Sequence, residues 1–440
     1  MNYEPRSPVR IEDTKLDPVL LQQLVAKGMY LENLETSKQL AQEMKLPGPL
    51  IDSLLQDLNN RSMLESTGMA EGGGAFGQLR YSMTRAGRDF AKDALEQNQY
   101  FGPAPVPLAV FSEQVRLQAI GEERVSPEDI EEAFHDIIVP DEFTRRLGPG
   151  VNSGKSILIY GPAGNGKTTV AEKVAKIYEA VVYIPYCIEV NGAIIKLFDP
   201  AVHEEVQVVD PAAERRAVIR SRSDARFVPC RRPVVITGGE LNMEMLDLKF
   251  NAIAKFYEAP LHMKALNGTF IIDDFGRQLC TPEELLNRWI VPLESRVDYL
   301  KLHSGKSFMI PFDELVIFST NLSPDDLMDP AFLRRIPYKL ETKDPSEEAF
   351  TAIYRAVAKS AGLELSDEIV QFTIREIVEV SGKTLAAYQP GFIMEQVRSM
   401  AKYLGVEMQL TQEFVAEALA NLYVRESSHI GQVGADEPSS

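Results

Sequence analysis

The chain has 440 residues, enough for two or three domains, and its 45% hydrophobic and 25% charged content is that of a folded globular protein. No apolar run reaches the roughly 18–20 residues of a membrane span, and the opening MNYEPRSPVRIEDTK lacks the apolar core of a secretory signal, so a cytoplasmic protein without membrane insertion is expected. A formal net charge of -18 opposes general nucleic-acid binding, because phosphate is repelled.

Residues 1–20 are polar, with Pro5, Pro8 and Pro18, and read as an extended lead-in. From Leu20 the apolar spacing predicts three helices, LLQQLVAKGMYLEN, TSKQLAQEMKL and LIDSLLQDLNNRSMLES, with Pro47-Gly48-Pro49 turning between the last two. GMAEGGGAFG reads as a flexible loop around the Gly72–Gly74 run, QLRYSMT as a strand and RAGRDFAKDALEQNQ as a helix. Helices followed by a glycine-tipped hairpin form the order of a winged helix-turn-helix, assigned to residues 1–100. The Pro-rich FGPAPVPL (101–108) reads as a joint, and with the helix after it makes a linker over 101–125.

Ser126, Pro127 and Asp129 then open a capped helix. From Lys155 strand and helix alternate: SILIY, the helix AEKVAKIYEA, then VVYIPYCIEV, TFIID and ELVIFST. Continuous apolar strands separated by helices predict a parallel sheet buried on both faces, an α/β nucleotide-binding domain over 126–343. Four helical segments follow and predict a helical domain over 344–428, with residues 429–440 expected to be a disordered tail. Cys187, Cys230 and Cys280 and the five histidines are too scattered for a zinc site or a disulfide framework.

GPAGNGKT (161–168) fits a phosphate-binding loop, with an apolar strand before it and a helix after it. Gly161, Pro162, Ala163, Gly164, Asn165 and Gly166 would wrap phosphate with backbone N–H groups, and Lys167, Thr168 and Thr169 open the helix whose positive end faces the same anion. Lys167 suits the β/γ-phosphates, and the Thr168 hydroxyl suits Mg2+. In TFIIDDFG (269–276) a buried strand delivers two carboxylates at its C-terminal end. Asp273 is placed to hold Mg2+, and Asp274 to orient and polarise the attacking water. Adenine is the expected base, since the guanine-reading N/T-K-x-D pattern occurs only as Thr14-Lys15-Leu16-Asp17, ahead of the loop.

With GPAGNGKT, IIDDF, FSTN (318–321), DPAFLRR (329–335) and the helical C-terminal segment in this order, residues 126 to 424 resemble the AAA+ ATPase family. The resemblance implies an α/β fold: a P-loop AAA+ parallel-sheet core with a C-terminal helical lid, here preceded by the winged helix. It implies ATP and Mg2+ as cofactors and a homo-oligomeric ring, typically a hexamer. Asn321 matches the residue that senses the γ-phosphate, and Arg334 or Arg335 the finger offered to a neighbouring subunit. Arg398, in QPGFIMEQVRSM, is the candidate lid arginine, and Ile138 and Val139 the candidate adenine pocket. One departure is Asp273-Asp274 where most of the family has Asp-Glu; the shorter side chain lowers the expected turnover rather than binding.

Between the two nucleotide motifs lie IEVNGAIIKLFDP, read as a hairpin, and a segment with seven arginines between 215 and 232. That segment is either a solvated basic face or an interface or pore element. VDYLKLHSGKSFMIPF reads as a hairpin tipped by Ser304-Gly305, after a helix ending at Pro292. It is similar to the extra hairpin of an AAA+ branch that includes MoxR-like chaperones. GGELNMEMLDLKFN, YEAPLHMKALNG and LLNRWIVPLESRVDYL resemble bacterial ATPases described as having chaperone activity linked to Flp pilus assembly. A protein client or adaptor is therefore the leading partner, and DNA the alternative. The DNA alternative leans on Arg80, Arg85 and Arg88, against eleven basic and fourteen acidic residues in 1–100.

Overall fold

The computed structural model describes residues 3–69, 79–207, 223–327 and 330–423. The glycine run at 72–74, Arg215, Arg216, Arg220 and Arg222, Asp329 and the tail at 429–440 lie outside the described residues.

Within residues 1–20, expected to be extended, the chain instead forms a 3-10 turn at Ile11–Thr14 that buries Thr14, and three helices follow: α1 (Pro18–Leu31), α2 (Ser37–Met44) and α3 (Gly48–Asn60). Asp17 caps α1 by accepting the Val19 N–H, and Pro18 needs no partner at the first helical position. Thr36 and Gln39 form a reciprocal capping box on α2. Leu21, Leu24, Leu40, Met44, Ile51, Leu54, Leu55 and Leu58 close the core between the three helices. The antiparallel pair β1 (Leu64–Met69) and β2 (Leu79–Met83) follows, then α4 (Arg85–Gln97), capped by Thr84.

The Pro-rich joint is not a free linker. Ala104 is 1% exposed and its N–H donates to the Met44 carbonyl. Val106–Pro107 form a short strand, β3, on the edge of a five-stranded sheet, where a proline lacking its N–H costs no ladder bond. Proline content marked a break in secondary structure; burial decided that the break is rigid.

The chain continues through α5 (Leu108–Leu117), α6 (Pro127–Phe134), α7 (Asp141–Ser153), β4 (Ile157–Tyr160) and α8 (Lys167–Ala175). Four strands then intervene: β5 (Val182–Pro185), β6 (Cys187–Val190), β7 (Ala193–Lys196) and β8 (Phe227–Cys230). After them come β9 (Val234–Thr237), β10 (Lys249–Asn251), β11 (Phe256–Glu258), α9 (Leu261–Lys264), β12 (Thr269–Ile272) and α10 (Pro282–Ser295). The body ends with β13 (Val297–Lys301), β14 (Ser307–Pro311), β15 (Leu315–Thr320), the short α11 (Pro324–Leu327) and α12 (Pro330–Leu333), and β16 (Tyr338–Glu341).

The central sheet is entirely parallel, in the order β16–β4–β15–β12–β9. VVYIPYCIEV, expected in it, is not there. The segment breaks at Tyr186: β5 pairs with β8, and β6 joins the mixed sheet β10–β11–β7–β6–β3. The second central strand is β9 instead. Alternation explains the difference. Ile188 and Ile195 face one hydrophobic cluster with Leu300, Leu302, Phe308 and Ile310 of the β13–β14 hairpin. Cys187 and Ile194 join the cluster of the N-terminal helices. Both faces of the mixed sheet are thus covered, which gives its strands the apolar content of a parallel-sheet strand.

Ser304-Gly305 sits at the tip of the β13–β14 hairpin, with Gly305 at φ +86°. Helix α10 runs on to Ser295 with Pro292 inside it rather than ending there. Arg288 of α10 forks onto Asp298 of the hairpin at 2.6 and 2.8 Å, tying helix to hairpin.

The last four helices are α13 (Glu347–Ser360), α14 (Asp367–Arg375), α15 (Gln389–Leu404) and α16 (Gln412–Leu422). They close on Phe350, Tyr354, Ile393, Val397 and Leu419. Among the described residues no helix is long and apolar enough to cross a membrane.

Candidate functional site

The loop after β4 and the loop after β12 meet at the C-terminal edge of the central sheet, where strand ends leave carbonyls and side chains for a ligand. Gly161 has φ +140°, and a Cβ there would stand 2.0 Å from the Thr342 carbonyl oxygen, so only glycine fits. Lys167 is 6% exposed, and its Nζ donates to the Gly161 and Pro162 carbonyls at 3.0 and 2.7 Å. Burial lowers its pKa, and the nearby Asp274 and Asp273 carboxylates oppose that. The ammonium is thus held at the mouth of the loop, beside the N-terminus of α8.

Thr168 Oγ1 donates to Asp273 Oδ2 at 2.8 Å. A hydroxyl and a carboxylate in contact are the hard-oxygen pair that suits Mg2+, which takes few protein ligands and completes its shell with phosphate and water. Asp273 is fixed by its own N–H, which donates to the Thr237 carbonyl of β9 at 2.8 Å. Asp274 departs from strand geometry, with φ +49°, a left-handed conformation that costs a non-glycine residue about 1 kcal/mol. The turn brings its carboxylate to Asn321 at the end of β15: Asn321 Nδ2 donates to Asp274 Oδ1 at 3.1 Å. The sequence-predicted Lys167, Thr168, Asp273, Asp274 and Asn321 therefore converge.

Two supports escaped sequence reasoning. Gln278 folds back so that Nε2 donates to the Asp273 carbonyl at 2.9 Å, and Thr320 Oγ1 donates to the Phe275 carbonyl at 2.8 Å. Neither carries a local signal, since each acts through the tertiary turn after β12.

Ile138 and Val139 line a cavity of about 460 Å³ between α7, the end of β16 and the last helices, with Asn165, Val170, Thr342 and Ala387 on its other walls. The volume accommodates a nucleobase. Pro162, Ala163, Gly164 and Thr169 stand exposed on the loop and the first turn of α8, and Gly166 is partly buried.

Arg334 and Arg335 differ. Arg334 is exposed in the turn after α12. Arg335 is 12% exposed in its side chain, with Nε 2.8 Å from Glu294 Oε1 and its guanidinium over the Phe332 ring.

The structure does not bring Arg398 to the phosphate loop. Helix α15 meets the loop through its first residues: the Tyr388 N–H donates to the Gly164 carbonyl at 3.0 Å, and the Tyr388 ring packs on Gly164. Arg398 is exposed on α15, ten residues further on, a rise of about 15 Å.

The arginine-rich segment also divides. Arg226 is buried in an ion pair with Asp224 at 2.7 Å. Arg232 pairs with Glu123 and donates to the Gln118 and Asn267 carbonyls. Of the described arginines in that stretch, Arg231 alone is exposed. For Arg226 and Arg232 neither a solvated face nor a pore element applies, because each is consumed by internal hydrogen bonds.

A family profile described as a domain of unknown function (DUF8689) matches residues 346–421, the helical C-terminal segment. Comparison with curated proteins finds no match. Among solved structures, the chain is similar to the RuvB Holliday junction branch migration motor of Thermotoga maritima, at 14% identity and TM-score 0.35, over 71% of this chain and 74% of that one. It is similar to domain III of the replication initiation protein DnaA from the same organism, at 13% identity and TM-score 0.35, over 66% of this chain and 96% of that one. NtrX of Brucella abortus aligns at 12% identity and TM-score 0.40, over 78% of this chain and 69% of that one. Likenesses this remote carry no argument of their own. The strand order and the phosphate-loop geometry do: an all-parallel central sheet with a glycine-rich loop and a helix N-terminus at its C-terminal edge is the arrangement of a P-loop nucleotide-binding fold.

Proposed function

We propose that the chain is a cytoplasmic AAA+ ATPase that assembles into a homo-oligomeric ring, a hexamer, and uses ATP hydrolysis to remodel or assemble a protein client. The observation that carries this reading is the convergence of Thr168 with Asp273 and of Asn321 with Asp274 beneath the phosphate loop. Lys167 and the N-terminus of α8 bind the phosphates, and the base lies in the cavity walled by Ile138 and Val139. Thr168 and Asp273 would hold Mg2+, which would supply positive charge to the phosphates. Asp274 spends one carboxylate oxygen on Asn321 and keeps the other for the attacking water. Asn321 thereby ties the water-positioning carboxylate to the strand end that faces the γ-phosphate.

Arg334 is the finger offered to the next subunit, because it is exposed whereas Arg335 is engaged within its own chain. The N-terminal helices and hairpin act as a winged-helix module for protein docking. Arg80 is neutralised by Glu35, and Arg88 donates to the Met83 carbonyl. The exposed face of α3 carries Asp52, Gln56, Asn59 and Asn60, a poor match for phosphate.

The test is ATPase rate against protein concentration, with particle mass recorded alongside, for the wild type, Lys167→Ala and Asp274→Asn. Activity per subunit should rise as rings form and vanish in both variants. Nucleotide-dependent assembly without turnover would overturn the motor reading and leave a nucleotide switch.

A further inference from the structure

Asn165 holds the fifth position of GPAGNGKT, and its side chain reaches across to two other elements. Its Nδ2 donates to Asp344 Oδ1 at 2.8 Å, in the segment between β16 and α13. Its Oδ1 accepts the Ala387 N–H at 3.1 Å, immediately before α15. Both partners fix the orientation of the amide, since a carboxylate can only accept and a backbone N–H can only donate. One residue earlier, the Gly164 carbonyl accepts the Tyr388 N–H at 3.0 Å. Gly164 is at φ +80°, and a Cβ there would lie 2.3 Å from the Tyr388 ring. The phosphate loop, the segment between β16 and α13 and the entry to α15 are thus joined through two consecutive loop residues.

We infer that Asn165 is a positioning residue that couples the conformation of the phosphate loop to the position of the C-terminal helical domain; this rests on the ATPase reading above. Loop residues 161–166 must wrap phosphate with their backbone N–H groups, so any adjustment of that wrap moves residues 164 and 165. Ala387 and Tyr388 are bonded to those residues and follow. Helix α15 supplies Ile393, Met394 and Val397 to the core of the helical domain, so the displacement passes to that domain as a body. Where α15 faces the loop the sequence is Tyr388-Gln389-Pro390-Gly391, with no arginine, so the contact is made by a backbone N–H and an aromatic ring. Only an amide of this length serves at 165: serine cannot span both partners, and aspartate sets a second carboxylate against Asp344.

The experiment uses the full chain with donor and acceptor dyes at Glu128→Cys and Tyr403→Cys, both exposed; Cys187, Cys230 and Cys280 are buried. Affinity for a fluorescent ATP analogue and the energy-transfer change on adding ATP and Mg2+ are read separately. Asn165→Asp should reduce the energy-transfer change about 5- to 10-fold when read at saturating nucleotide, so that any loss of analogue affinity at this cavity residue is separated from the loss of coupling. Asp344→Asn keeps an acceptor for Asn165 and should retain most of the response. In the double variant Asn165→Asp, Asp344→Asn, the donor and acceptor exchange ends and Ala387 keeps its acceptor, so the response should return. That reciprocal rescue, at matched melting temperature, would not come from a merely structural residue. A full response in Asn165→Asp, or none restored in a folded double variant, overturns the coupling and leaves the ATPase reading intact. Failure of the wild type to bind the analogue overturns both.

Discussion

Replacing Arg334 with alanine removes an exposed side chain, whereas replacing Arg335 breaks two contacts. The Arg335 pair with Glu294 spans 2.8 Å, but Glu294 is 46% exposed, so the pair contributes under ~1 kcal/mol. The guanidinium lies 5.7 Å from the Phe332 ring centroid, adding roughly 0.5–1 kcal/mol. Arg335→Ala should therefore cost about 1–2 kcal/mol and lower Tm by several degrees. Arg334→Ala should leave Tm nearly unchanged, since exposed substitutions usually stay within about 0.5 kcal/mol. Its kcat should nevertheless fall about 10³–10⁵-fold, the loss expected when a trans-acting arginine no longer meets the developing γ-phosphoryl charge. Mixing supplies the decisive assay. Lys167→Ala and Arg334→Ala are each inactive alone, yet in mixed rings a site built from an intact lysine on one copy and an intact arginine on the next is complete. An equal random mixture regains about a quarter of wild-type activity per site. A mixture as inactive as its parents, or an inactive Arg335→Ala of wild-type Tm beside an active Arg334→Ala, would refute the assignment.

Lys27 is fully buried in the N-terminal helices, donating to Asn98 Oδ1 at 2.7 Å, and burial lowers its pKa to about 8. Between about 8 and 10.5 the unfolded chain keeps a proton that the folded chain has lost, so stability rises with pH across that window. Lys27→Met should flatten that rise in melts from pH 7 to 10; an unchanged slope would count against it. Glu314 is wholly buried with neither carboxylate oxygen hydrogen-bonded, and burial, opposed by Arg296, holds its pKa well above 4.5. Above that value the folded chain keeps a proton that the unfolded chain loses, so stability falls as pH rises. Glu314→Gln removes that fall, and melts at pH 5 and 8 should diverge less than in the wild type. Gly161→Ala drives a Cβ into the Thr342 carbonyl at 2.0 Å and should abolish binding of an ATP analogue while far-UV circular dichroism stays near wild type. Retained binding would mean that the loop and β16 are free to part.

The convergence of Lys167, Thr168, Asp273, Asp274 and Asn321 was legible in the sequence because each part of the candidate site is encoded locally. The glycines of the loop answer to backbone conformation, β12 and β15 are buried along their whole length and read as apolar runs, and their polar C-terminal residues follow directly. What was illegible depends on contacts between distant segments. Arg398 stands on the right helix, but only the packing of α15 reveals that Tyr388 is the residue at the loop. The arginines at 226 and 232 look like surface charge until the Pro105 carbonyl and Glu123 arrive from elsewhere. VVYIPYCIEV has the composition of a central strand, yet it breaks at Tyr186: its first half pairs with β8, and its second half joins a sheet with one face on the N-terminal helices and the other on the β13–β14 hairpin. That same sheet alters the mechanical reading. Gln99 donates to the Ala254 carbonyl, Tyr100 packs edge-on against Phe256, and Lys255 donates to the Glu96 carbonyl, so the N-terminal module is bolted to the mixed sheet. The mixed sheet in turn shares a core with the hairpin, whose second strand leads through Phe312 and Asp313 into β15 and on to Asn321 just beyond it. Under the proposed function, a client docked on the N-terminal module would be held against the body that carries Asn321. On that proposal, work on the client would come from motion of whole subunits and of the C-terminal helices, because between the module and the α/β domain the described chain offers packed core where the sequence reads as a Pro-rich linker.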